Sequence, residues 1–261
     1  MLQRYVSPEL THFVGRTFDQ PRQYELLKQI LASGWLMHPP YNPNYAGNLR
    51  VNVEASLCRN EMYVPEIVCF CDIPVEDLRI HMHKYSQFGI AFRKSFLIAK
   101  GANPVFYLAR NGTIQKLKSD SALADVVKAT PGDSPGEQQL FDLISRCDHF
   151  DASVRDHNTL MDQLSEAILN SPGVVGVPPE YRALTEARRF IDFHAISFFK
   201  FFDDALTDND PDNYYMEREW RVVGNVNFTL KDVERVILPR AFAARFRSEM
   251  PHYAGQLSFA E

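Results

Sequence analysis

The β-rich runs of this chain are short, and short helical stretches lie between them. ELTHFV (Glu9–Val14), EIVCFC (Glu66–Cys71), GIAF (Gly89–Phe92), NPVFYLA (Asn103–Ala109), YYMEREWRVV (Tyr214–Val223) and Val233–Leu238 read as strands. From Pro21, residues Tyr24, Leu27, Ile30 and Leu31 recur at helical spacing, and Gly34 lies just past the end. Val75–Tyr85 has helical character, Phe96–Lys100 forms a helical turn, and Pro239–Met250 reads as a closing helix. A doubly wound parallel sheet needs regular strand–helix–strand units, which this pattern lacks, so the fold class is α+β. Core material is ample: 19 Phe, 11 Tyr and 2 Trp, each able to bury ~150–250 Å².

The 261 residues suit a single domain, 1–261, carrying an insertion. That insertion is Ile114–Glu180, a mostly helical lid. PGDSPGE (Pro131–Glu137) and SPGVVGVPPE (Ser171–Glu180) are its loops, and helical stretches lie at Gln138–Arg146 and Leu160–Leu169. HPPYNPNYAGN (His38–Asn48) cannot continue a helix and reads as a loop. Ala187–Phe202 reads as a helix passing into a buried segment. Apolar residues at 45% and charged residues at 23% exclude a disordered or fibrous chain.

A net charge of −5 argues against a generic phosphate-binding surface. Locally, Arg79, Lys84, Arg93, Lys94 and Lys100, with His81 and His83, form a strip that reads either as the lining of a groove or as a solvated helix face. The four cysteines are too few and too irregular for a disulfide framework, and no second pair sits at zinc-ligand spacing. No metal is expected. No stretch approaches ~18 apolar residues, and the first residues lack the basic and apolar regions of a signal peptide. A cytoplasmic location with no membrane partner is expected.

Three constellations carry potential chemistry. His12 sits within an apolar strand, where a lone histidine is most often a satisfied core residue. In Ile67–Asp72, Val68 and Phe70 share one face and Cys69 and Cys71 the other. Glu217, Glu219 and Arg221 would share a face of the late strand, with Arg218 and Trp220 opposite. Read without chemistry, Glu219 and Arg221 are a surface ion pair worth ~0–1 kcal/mol.

Taken in order, LTHFVGR, YELLKQILASGWL, VCFCDIPVEDLRIHMHKYSQFGIAF, GANPVFY and EREWRVV resemble the abortive-infection AbiGi-type proteins of bacterial phage defence. The same layout is similar to divergent ADP-ribosyltransferases, with an early strand histidine, a central strand aromatic and a late strand glutamate. That resemblance implies a split antiparallel β-sheet core flanked by helices, with NAD as substrate. His12 would hydrogen-bond the adenosine ribose, Phe70 would stack on nicotinamide where tyrosine is usual, Tyr85 would supply a second aromatic, and Arg16 would meet the pyrophosphate. Glu219 would be the catalytic glutamate, with Glu217 positioning the acceptor in an E-x-E pair. A carboxylate beside the oxocarbenium-like charge stabilises the transition state more than the ground state.

The implied activity is transfer of ADP-ribose to RNA, DNA or protein in anti-phage defence. Two alternatives stand beside it: a catalytically inactive antitoxin-like protein that binds a cognate toxin, and an NAD glycohydrolase. The enzymatic expectation requires that His12 and Glu219 face one cleft.

Overall fold

The computed structural model describes residues 7–260 apart from 39–40, 45–46, 58, 110–149, 172–175, 204, 208–209, 211–212 and 214. It is an α+β structure, as the short-strand pattern implies, and it divides into two compact units. The first comprises Met1–Asn48, Pro65–Val105 and Asp208–Glu261; the second comprises Leu49–Val64 and Phe106–Thr207.

The first unit is built on β1 (Glu9–Phe13), β5 (Ile67–Cys71), β6 (Gly89–Arg93), β7 (Asn103–Pro104), β10 (Glu219–Val223), β12 (Val233–Pro239) and β13 (Gln256–Ala260). They form a seven-stranded sheet in the order β13-β12-β6-β1-β5-β10-β7. Neighbours are antiparallel except β12 and β13, which are parallel. A two-stranded sheet pairs β2 (Trp35–Leu36) with β11 (Val226–Asn227). Helix α1 (Gln20–Ser33) begins where the Asp19 carboxylate accepts from the Arg22 amide at 3.0 Å, and ends at Gly34, whose φ of 70° is left-handed. Tyr24, Leu27 and Leu31 point inward on the period expected of a half-buried helix. They join Leu10, Val68, Phe70, Ile90, Phe92 and Val236 in the main core, which also buries Phe246 of α6 (Ala243–Glu249). A smaller cluster of Cys71, Ile73, Leu78 and Ile237 packs with Phe13 and Met82. Met82 belongs to α2 (Arg79–Lys84), which follows a 3₁₀ turn at Val75–Asp77, so the expected helix there is two pieces. Another short helix, α3 (Lys94–Ala99), links β6 to β7.

The second unit pairs β3 (Leu49–Val51) with β4 (Tyr63–Pro65), and β8 (Phe106–Ala109) with β9 (Phe199–Phe202) in parallel register. The single strand expected over Asn103–Ala109 therefore divides between two sheets. Helices α4 (Phe150–Leu169) and α5 (Pro179–His194) complete the unit. Leu57, Met62, Tyr63, Ile196 and Phe201 form its core, and Asn158 donates to the Tyr63 hydroxyl at 2.8 Å. The helix expected at Gln138–Arg146 lies outside the described residues. Among the described residues no helix is long and apolar enough to cross a membrane.

Candidate functional site

Register decides which of the chemistry-bearing residues meet. Thr11 pairs with Cys71, Cys71 with Glu219, Phe70 with Trp220, and Cys69 with Arg221. Paired residues share a sheet face and neighbours along a strand alternate. Thr11, Cys69, Cys71, Glu219 and Arg221 therefore lie on one face, with His12, Phe70 and Trp220 on the other.

On the first face, Arg221 Nε donates to Glu219 Oε1 at 2.7 Å, and the Cys69 thiol donates to the same oxygen at 3.2 Å. Glu219 is 5% and Arg221 6% exposed. A surface ion pair is thus the wrong description: β10 lies inside the sheet, and the pair is buried. Burial, reinforced by the charges of Glu217 and Asp72, pushes the Cys71 thiol up to about 12, so it is inert at neutral pH.

Glu217 reaches this face by a different route from the one the alternation implied. The strand expected from Tyr214 starts only at Glu219, because Tyr215–Glu217 is a 3₁₀ turn and Arg218 has a φ of 47°. The Arg218 carbonyl accepts from the Asp72 amide at 3.1 Å, which fixes the kink against the end of β5. Glu217 meets the end of α2 instead: Lys84 Nζ donates to its Oε1 at 2.7 Å, and the Tyr85 hydroxyl donates to the same atom. Burial first, then the Glu217 charge, pushes the Tyr85 phenol far up, so it remains a proton donor; Glu219 acts on it in the same direction. The Arg16 guanidinium stands 5.0 Å from the Tyr85 ring centroid, and Phe13 and His81 stack against that ring at 6.0 and 6.4 Å.

Four sequence candidates, Glu217, Glu219, Tyr85 and Arg16, therefore converge. His12 and Phe70 do not join them. His12 Nδ1 donates to the Cys69 carbonyl at 2.9 Å, and its ring tilts on Phe70 at 5.8 Å. Burial lowers the His12 pKa, leaving a neutral imidazole. Phe70 is 2% exposed within the main core, with Phe92 edge-on at 6.2 Å. The shared cleft expected of His12 and Glu219 is not formed, because one residue of offset along β1 turns the imidazole to the other side of the sheet.

The basic strip is also dispersed. Lys84 pairs with Glu217, Arg93 with Glu234 and Lys94 with Asp72, while Lys100 donates to Asn227. Sequence reasoning missed Lys84 as the cation that compensates Glu217, and Cys69 as a thiol donor; it paired Arg221 with Glu219 but set the pair on the surface. The alternation of Cys69 and Cys71 opposite Phe70 was the available signal for the last.

The model of one protein family, described as "Putative abortive phage resistance protein AbiGi, antitoxin", matches residues 48–250. A curated protein of Lactococcus lactis subsp. cremoris, "Abortive phage resistance protein AbiGi", is 36% identical over 78 residues. That match covers 28% of this chain and 30% of the relative, so the chain spans under a third of its length. No solved structure matches.

Proposed function

The chain belongs to the AbiGi family of abortive phage resistance proteins, and from that membership we propose that it acts in phage resistance as an antitoxin-like protein binding a cognate toxin. The family description supplies the direction, and one observation carries the choice against ADP-ribose transfer: the sheet separates His12 from Glu219. Glu219 is also compensated within the chain. A carboxylate already bonded to Arg221 and to a thiol has part of its field cancelled, and so has less to offer a developing cation.

A second reading draws on the convergence of Glu217, Glu219, Tyr85 and Arg16 on one face. In it NAD binds there, Glu219 stabilises the ribosyl cation, and ADP-ribose passes to RNA, DNA, protein or water. Two measurements on the purified chain separate the readings. One is nicotinamide release from NAD, with Glu219→Gln as control; the other is co-elution with the product of the adjacent gene. We expect no nicotinamide and a stable complex. Nicotinamide release that Glu219→Gln abolishes, in a variant that still melts cooperatively, would establish the enzyme instead.

A further inference from the structure

Beyond the pair Thr11↔Cys71, β5 parts from β1, and two of its carbonyls meet imidazoles rather than a neighbouring strand. His12 Nδ1 caps Cys69 O at 2.9 Å, and His38 Nε2 caps Ile67 O. A carbonyl can only accept, so each ring uses an N–H there. In the neutral imidazole the remaining nitrogen is then a lone-pair acceptor: Nε2 of His12, Nδ1 of His38. Both rings line a cavity of about 700 Å³, within the range of small-molecule sites. The two capped carbonyls are two residues apart on a strand, roughly 6.6 Å, so the cavity presents two acceptors along one edge.

Its other walls narrow the choice of ligand. Phe18, Trp35 and Tyr41 give it aromatic surface, and Arg22, also on the wall, has its guanidinium 4.2 Å from the Phe18 ring centroid. Among the described residues Arg22 makes no ion pair, whereas Glu25, the wall's one acid, is held by Lys28 at 2.9 Å and Arg245 at 2.8 Å. Neither Glu217 nor Glu219 lines the cavity. Flat apolar walls, two hydrogen-bond acceptors and one uncompensated cation match a planar heteroaromatic group carrying N–H or O–H donors and an anionic tail. We propose that this cavity binds a nucleoside phosphate, held intact as an effector. The proposal stands apart from the antitoxin reading and needs no catalytic group.

Calorimetric titration of the full chain with AMP, ADP, NAD and adenosine tests it. Saturable binding of at least one phosphate-bearing probe is expected, with adenosine at least tenfold weaker. Arg22→Gln, at an exposed position, should remove that tenfold preference without altering the melting temperature. His38→Phe, which keeps a ring but removes the acceptor and the cap, should weaken every probe about tenfold or more. If His38→Phe fails to fold, Trp35→Leu serves as the second variant and should weaken every probe. No saturable binding, or affinities unchanged in both variants, overturns the site. Binding that survives in both but is lost in Arg16→Gln would place the nucleotide on the opposite face and overturn it equally.

Discussion

Two glutamates two residues apart meet different fates because the residue between them is left-handed. Had Arg218 stayed extended, Glu217 and Glu219 would have shared a face ~7 Å apart and repelled. With Arg218 at φ 47°, each finds its own cation. The Glu219–Arg221 pair should behave as a buried one. Arg221→Met alone is expected to destabilise by about 3–5 kcal/mol, because it leaves the carboxylate buried without its cation. Combining it with Glu219→Leu should restore much of the loss, since two apolar groups need no partner. Urea denaturation of the single and double variants measures the coupling, and additive losses would show that the pair is not an energetic unit. This bears on function as well, because a glutamate kept for chemistry would lower turnover without such coupling.

At the scale of elements, α1 illustrates how far local sequence carries. Pro21, the apolar spacing and Gly34 are each legible, and each performs the role its position implies, whereas the Asp19 cap emerges only in the structure. Gly34 is required for two reasons: its φ is left-handed, and a Cβ there would stand 2.6 Å from the Phe228 carbonyl oxygen. Gly34→Ala should therefore cost at least the ~1–2 kcal/mol of a left-handed alanine. Asp19→Ala, which removes the cap alone, should cost about 1 kcal/mol. Thermal melts of the two variants give the comparison, and equal losses would mean that the close approach at Gly34 relaxes.

Elsewhere the local signal fails for identifiable reasons. QLSFA (Gln256–Ala260) is too brief to announce β13, which exists because β12 offers it a parallel edge. His38 lies in a proline- and asparagine-rich loop, and its role as a cap on β5 depends on chain folding 29 residues away. Asn103–Ala109 has strand composition throughout, yet which strand partners it finds is a tertiary matter. The candidate site was legible in residue type, through Glu217, Glu219, Tyr85 and Arg16, but not in arrangement. Face assignment requires register, and register between β1, β5 and β10 is set by contacts more than fifty residues apart in sequence.

For the molecule as a whole, acid should act in two separate windows. His12 and His81 are both held neutral by burial, and among the described residues His81 Nδ1 has no hydrogen-bond partner. Their folded pKa values lie below the unfolded value near ~6.5. The unfolded chain therefore binds more protons once pH drops below about that point, and stability falls with it. Each imidazole contributes a slope of at most about 1.4 kcal/mol per pH unit until its folded form protonates too. Glu249 acts lower. Hydrogen bonds from Lys28 and Arg245 hold its carboxyl down at about 2 and tie α6 to α1. Its contribution is complete above the unfolded value near ~4.3 and is lost as pH falls from there through about 2. Melting temperatures between pH 8 and pH 2.5 should show a first decline starting near 6.5 and a second below about 4.5. His81→Asn should flatten the first and leave the second, and Glu249→Gln the reverse. The second decline should also shrink in high salt, because Glu249 and Arg245 are partly solvated, whereas the first, set by desolvation of buried rings, should not. A single decline that both variants reduce equally would mean that the acid response comes from neither group.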